Sequence, residues 1–239
     1  MRNIWTIGSK EFMSYLASPT AYIITAAFLI GTGFFFTLFS QAAFTETSIR
    51  GVLGSPMYSV IVLLLMALLT MRLIAEEKKL GTIELLMTAP IRDSELVIGK
   101  YVGSVLVMLS MFVFTLYYPL MLVIFGDPDL GPIFSGYLGL ILLGSSSLAV
   151  GMFASSLTSN QIVSAVVGGG ILLGLWFLGS IASLLPSTIG STAAYFSSAN
   201  YLPDFVRGII DTRGIIYYLS ITALFLFLAV RSLENSRWN

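Results

Sequence analysis

The sequence predicts an all-α polytopic membrane protein with six transmembrane helices and both termini cytoplasmic. Three observations carry this. Of 239 residues, 56% are apolar and only 10% charged, whereas soluble domains carry about 25% charge. Mean hydropathy is +0.92. The charges are also bunched, because residues 12–45, 51–71, 101–126, 130–203 and 214–230 hold none. A bilayer core is about 30 Å thick and takes roughly 20 apolar residues per helix, so most of the chain lies in lipid.

In 2–17, Ile4, Trp5, Gly8, Phe12, Tyr15 and Leu16 share one helical face, and Asn3, Lys10 and Ser14 the other. That period predicts an amphipathic helix in the inner interface with Trp5 and Tyr15 at headgroup level, the alternative being a polar tail. Ser18-Pro19 breaks it. The first span, 20–39, starts too late and runs too long for a cleaved leader, so a retained helix is expected. The second covers 57–74, with Arg72 snorkelling at its inner end. The third covers 101–125 and the fourth 136–157. The charge-free run 130–203 is 74 residues long and must turn, and Thr158-Ser159-Asn160-Gln161 is its most polar tetrad. The fifth span, 162–185, stops at Pro186. The sixth, 215–230, is short and suits a thinned bilayer. Between these last two, 186–214 is mostly apolar, with Asp204, Arg207 and Asp211 at i, i+3 and i+7 and with Phe205, Ile209 and Thr212 elsewhere. It reads as an amphipathic, re-entrant helix at the outer interface, or as a surface helix with weak ion pairs.

Orientation follows from Lys and Arg. With the N-terminus inside, the inner segments hold Arg2, Lys10, Arg72, Lys78, Lys79, Arg92, Lys100, Arg231 and Arg237, and the outer ones only Arg50, Arg207 and Arg213. The opposite orientation inverts that ratio.

The chain has no His and no Cys. That removes Ser-His-Asp and Cys-His nucleophiles, thiol redox chemistry, and zinc sites built on imidazole or thiolate. No carboxylate falls within a span, so neither an aspartyl protease nor an ion-coupled transporter with charged groups at membrane depth is expected. Hydroxyls and backbone carbonyls remain able to bind Na⁺. No P-loop is present, since Gly99-Lys100 is followed by Tyr101 and Ser94 stands where the first glycine belongs. Zero net charge gives no pointer to nucleic acid. Ten charges fall within 72–100. There Thr82 can cap a short helix ending before Pro90, with Leu80, Ile83, Met87 and Pro90 on one face and Glu77 and Glu84 on another. Such a helix presents a ridge to a partner, the alternative being a solvated linker. Gly168, Gly169, Gly170 and Gly174 cluster in the fifth span, and Gly99-x-x-x-Gly103 opens the third. Small residues let backbones approach closely, either within the chain or at a dimer seam or conduit.

The stretch from Glu76 to Pro90, EEKKLGTIELLMTAP, followed by Gly99-Lys100, resembles the coupling region of ABC-2-type permeases. It is most similar to the gliding-motility-type branch, near the permeases of nitrous oxide reductase maturation. Ser18-Pro19-Thr20-Ala21-Tyr22, Ser155 to Gln161, Phe205-x-x-Gly208-x-x-Asp211 and Tyr217-Tyr218-Leu219-Ser220 match further. The resemblance implies an ABC-2, type V exporter-like half-transporter in the cytoplasmic membrane of a prokaryote. One permease domain, 1–239, would pair with a second copy or close paralogue. A cytoplasmic ABC ATPase, binding ATP and Mg itself, would dock on a coupling helix at 76–90. Glu76, Glu77, Gly81, Thr82, Glu84, Leu85, Leu86 and Pro90 would serve there, helped by Ser159, Asn160 and Gln161. Asp204, Phe205, Arg207, Gly208 and Asp211 would belong to an extracytoplasmic gate. An auxiliary membrane protein with an extracytoplasmic domain is a further implied partner, and the brief outer loop 40–56 leaves little material for recognition. This chain would be a non-catalytic permease, an exporter whose conduit suits amphipathic cargo. The alternative is a mechanotransmitting or scaffolding subunit that moves no solute.

Overall fold

The computed structural model describes residues 2–42, 50–82, 92–125, 128–184 and 186–236. Described residues form α1 (Arg2–Leu16), α2 (Pro19–Ala42), α3 (Arg50–Leu53), α4 (Pro56–Thr70), α5 (Ala75–Leu80), α6 (Asp93–Thr115), α7 (Tyr117–Phe125), α8 (Leu130–Leu157), α9 (Gln161–Ala182), α10 (Ser187–Tyr195), α11 (Leu202–Val206) and α12 (Thr212–Ser236). A 3-10 turn spans Ser198–Asn200. Six segments are long and apolar enough to cross a membrane: α2, α4 running into α5, α6 with α7, α8, α9 and α12.

Several spans depart from the limits that charge alone suggests. The fourth starts at Leu130 rather than Gly136, because Asp129 caps it by accepting from the Gly131 N–H at 3.1 Å. The sixth is not short, since α12 has 25 residues and carries Arg213 and Arg231 inside its ends. Long basic side chains reach water from within a helix, so counting charge-free residues truncates it. The third is not one continuous helix over 101–125. It begins at Asp93, where the Glu95 carboxylate accepts from the Arg92 N–H, and it breaks at Leu116. Pro119 has no N–H to offer the carbonyl of Thr115. The Tyr137 hydroxyl of α8 donates to that carbonyl instead, at 3.0 Å.

The centre of the bundle is α8. Its small residues lie flush against its neighbours: Gly139 under Phe205, Gly144 under Met108 and Gly151 under Thr70. Without a hydrophobic drive between helices in lipid, such close backbone approach is what packing can exploit. Phe28 of α2 meets Phe112 of α6 edge-on at 5.5 Å. The helix α1 packs along the start of α6 through Gly8, Gly99 and Gly103. A Cβ at Gly99 would lie 2.8 Å from Ile7, and one at Gly103 would lie 2.7 Å from Glu11. The inward stripe of α1 is therefore Ile4, Gly8, Glu11 and Tyr15, while Trp5 and Leu16 face outward. The apolar face that looked single in the sequence is split between protein and surroundings.

Candidate coupling site

After Thr70 a turn leads into α5, which has no capping side chain of its own. The cap comes from 80 residues away in sequence. Ser155 Oγ accepts from the N–H groups of Ile74 and Ala75, each at 3.0 Å, and donates to the Met71 carbonyl at 3.2 Å. One hydroxyl thereby satisfies two of the orphan donors that every helix start leaves. The next residue adds two bonds. Lys78 Nζ donates to the Ser156 carbonyl at 2.6 Å, and Ser232 Oγ donates to the same oxygen at 3.2 Å. The ends of α8 and α12 and the whole of α5 meet at Ser155-Ser156.

Beyond Leu157 the chain turns. Thr158 Oγ1 accepts from the Asn160 N–H at 3.1 Å, and Asn160 Oδ1 caps α9 by accepting from Ile162 at 2.9 Å. Ser159 and Asn160 are exposed and Gln161 is half-buried. Glu76, Glu77, Gly81 and Thr82 therefore lie on the same rim as this turn. The helix expected over 76–90 is interrupted at Gly81, and the short helix expected from Thr82 to before Pro90 falls almost wholly outside the described residues. Gly81 adopts φ 71, a left-handed cap that closes α5 at Leu80 and is open to glycine without strain. Glu84, Leu85, Leu86 and Pro90 lie outside the described residues.

Beneath the rim sits an ion cluster whose members no local sequence period joins. Lys100 is only 3% exposed, and its Nζ lies 3.0 Å from Glu11 and 2.8 Å from Glu77. The three charges come from α6, α1 and α5. The second Glu77 oxygen, Oε2, is buried and lacks a hydrogen-bond partner. A buried ammonium alone costs several kcal/mol, which two carboxylates offset. The one available sequence signal was Glu11, a carboxylate in the helical stripe of Gly8 and Tyr15.

Beside the cluster, Arg72 does not snorkel away. Its guanidinium lies 4.3 Å over the Tyr15 ring and donates to Ser18 Oγ at 2.6 Å and Thr20 Oγ1 at 2.7 Å. The Tyr15 hydroxyl donates to the Leu69 carbonyl at 2.6 Å. Burial, with Glu11 adding to it, pushes the Tyr15 phenol well above its ordinary range, so it stays a donor. The Ser18-Pro19-Thr20 motif thus holds the end of the second span against α1.

The glycine set of the fifth span divides. Gly168 and Gly169 face into the chain, where a Cβ would meet Ala154 at 3.3 Å and Leu64 at 3.6 Å respectively. A Cβ at Gly170 or Gly174 would meet nothing within 4 Å. Val163, Val166, Phe177 and Ile181 are exposed alongside them.

At the opposite end of α12, the expected stripe of Asp204, Arg207 and Asp211 on one helix is not formed. The helix α11 ends at Val206, and Gly208 turns the chain with φ 96. Asp211 instead accepts from the Arg213 N–H at 2.9 Å, at the start of α12. Among the described residues no ion pair joins these three. Phe205 is fully buried between α8 and α12, where a Cβ at Gly139 or Gly214 would come within 2.7 Å of it. It fastens α11 to α8 and α12.

Residues 5–234, nearly the whole chain, match the family model described as ABC-2 family transporter protein. Among curated proteins none matches the chain. ABC-2 permeases are non-catalytic transport subunits that generally partner with a cytoplasmic ATPase. Among the described residues no group of His, Cys, Asp or Glu could hold a metal. With its six apolar spans and a match that runs from α1 into the last turn of α12, the chain belongs to the ABC-2 family of membrane transporter proteins.

Proposed function

We propose that this protein is the membrane-spanning subunit of an ABC exporter, driven by a separate ATPase that docks on the rim formed by α5, Gly81-Thr82 and the 158–161 turn. The observation that carries the reading is the junction at Ser155-Ser156. It ties that rim to α8, the centre of the bundle, and to α12, which runs to the far end. A push on α5 therefore reaches two spans directly. The concentration of Lys and Arg at this end supports a cytoplasmic rim with both termini inside. The likeness of 76–90 to the gliding-motility-type branch supports export from a prokaryotic inner membrane. The outward face with Gly170 and Gly174 is the seam for a second copy or paralogue, and 186–214 forms the extracytoplasmic gate.

The test is coupling. The protein purified with its ATPase and reconstituted in vesicles should stimulate ATP hydrolysis. Thr82→Trp and Ser159→Trp, both at exposed positions, should abolish stimulation while leaving membrane insertion intact. Full stimulation in both variants would overturn the rim as the docking surface. Stimulation with no movement of any lipid, glycan or drug would favour a mechanical relay over an exporter.

A further inference from the structure

At the start of α12, opposite the rim, lies a cavity of about 750 Å³ lined by Tyr195, Tyr201, Asp204, Asp211, Arg213 and Tyr217, among others. Its size falls in the range of small-ligand sites. Its aromatic wall is preformed. Tyr201 and Tyr217 stack with centroids 4.5 Å apart, and Tyr218, buried behind them, meets both edge-on. Each hydroxyl is tied to a backbone carbonyl: Tyr201 to Tyr195 at 2.9 Å, Tyr217 to Phe196 at 2.7 Å and Tyr218 to Ser198 at 2.9 Å. The rings therefore need little ordering on binding.

The lining offers both signs of charge side by side. Two carboxylates next to tyrosine rings suit an ammonium, through ion pairing and cation–π attraction. A guanidinium suits a phosphate, which it can hold through two hydrogen bonds. A ligand carrying both groups a few bonds apart matches the whole lining.

The position in the membrane selects among such ligands. Arg213 and Arg231 sit near the two ends of α12, with no charge between them. At about 1.5 Å per residue they are about 27 Å apart, close to the thickness of a bilayer core. Ile216, Leu219, Leu224 and Phe227 are exposed between them. Arg213 and the cavity therefore lie at headgroup level, with an apolar strip leading from the cavity into the hydrocarbon. We propose that this cavity holds the headgroup of a zwitterionic phospholipid, its ammonium against Asp204, Asp211 and the tyrosines, its phosphate on Arg213, and its acyl chains along Ile216 and Leu219. The proposal rests on the chain spanning a bilayer and not on ATPase coupling, so it survives or fails separately from the exporter reading.

Native mass spectrometry of the purified full chain tests it, with phosphatidylethanolamine and phosphatidylglycerol of matched acyl chains added in equal amounts. The ethanolamine lipid should be retained about tenfold more, the size of one charged hydrogen bond. Asp204→Asn combined with Asp211→Asn should bring the two lipids to parity, with Asn keeping the cap of α12. Arg213→Gln should weaken both. Equal retention by the unaltered protein overturns the proposal, and this needs no variant to fold. An unchanged preference in a folded double variant overturns it as well. Displacement of the lipid by an equal concentration of glycerophosphoethanolamine would assign the site to a soluble zwitterion and overturn the lipid.

Discussion

Lys100 is the residue on which three elements depend. Lys100→Met leaves Glu11 and Glu77 facing each other without a cation, and should cost on the order of 3 kcal/mol. The measurement is the thermal midpoint in detergent, where Lys100→Met should melt well below the unaltered protein. Adding Glu11→Gln and Glu77→Gln should recover much of the loss, because the unpaired charges then disappear, and a multiple-mutant cycle reads that coupling. Ser155→Ala is milder. It strips α5 of its N-terminal cap, worth about 1 kcal/mol, and should lower ATPase stimulation more than it lowers stability. Neither residue was legible as a site. Glu76 and Glu77 stand out in a charge-rich loop, but pairing Glu77 with Lys100 and with Glu11 joins positions on different helices, and no local period records such a meeting. Ser155 belongs to the Ser155–Gln161 motif, yet a serine near the end of an apolar helix gives no sign that its hydroxyl will cap a different one.

At the scale of elements, the sequence was most legible where the bilayer dictates length and least where a single residue interrupts a helix. Six apolar runs correspond to six candidate spans because hydrocarbon thickness leaves little choice. The break at Leu116 was invisible in a charge-free run, although Pro119 sat within it. Gly81 was visible only as part of a motif, not as the left-handed stop that divides 76–90. The split of the fifth-span glycines yields a prediction. The chain has no Cys, so a single introduced thiol reports cleanly. Gly174→Cys should give a disulfide-linked dimer on mild oxidation in membranes, because its position is open and faces away from the chain. Gly168→Cys, turned inward against Ala154, should give none. Crosslinking at 168 and not at 174 would move the seam elsewhere.

For the molecule as a whole, the distribution of Lys and Arg predicts an orientation that can be checked directly. In intact cells a membrane-impermeant maleimide should label Asp129→Cys, while Asn160→Cys should react only after permeabilisation. Both positions are exposed at opposite ends of α8, and the reverse pattern would invert the topology. The central place of α8 has a consequence for biosynthesis. The inward face of α4 packs through Thr70 against Gly151 of a helix that ends only at Leu157. During translation the first three spans must wait in the membrane with that face unmatched. A ribosome that stalls before the fourth span emerges leaves a fragment with that face unpacked in lipid, the kind of nascent product that membrane quality-control proteases are suited to remove.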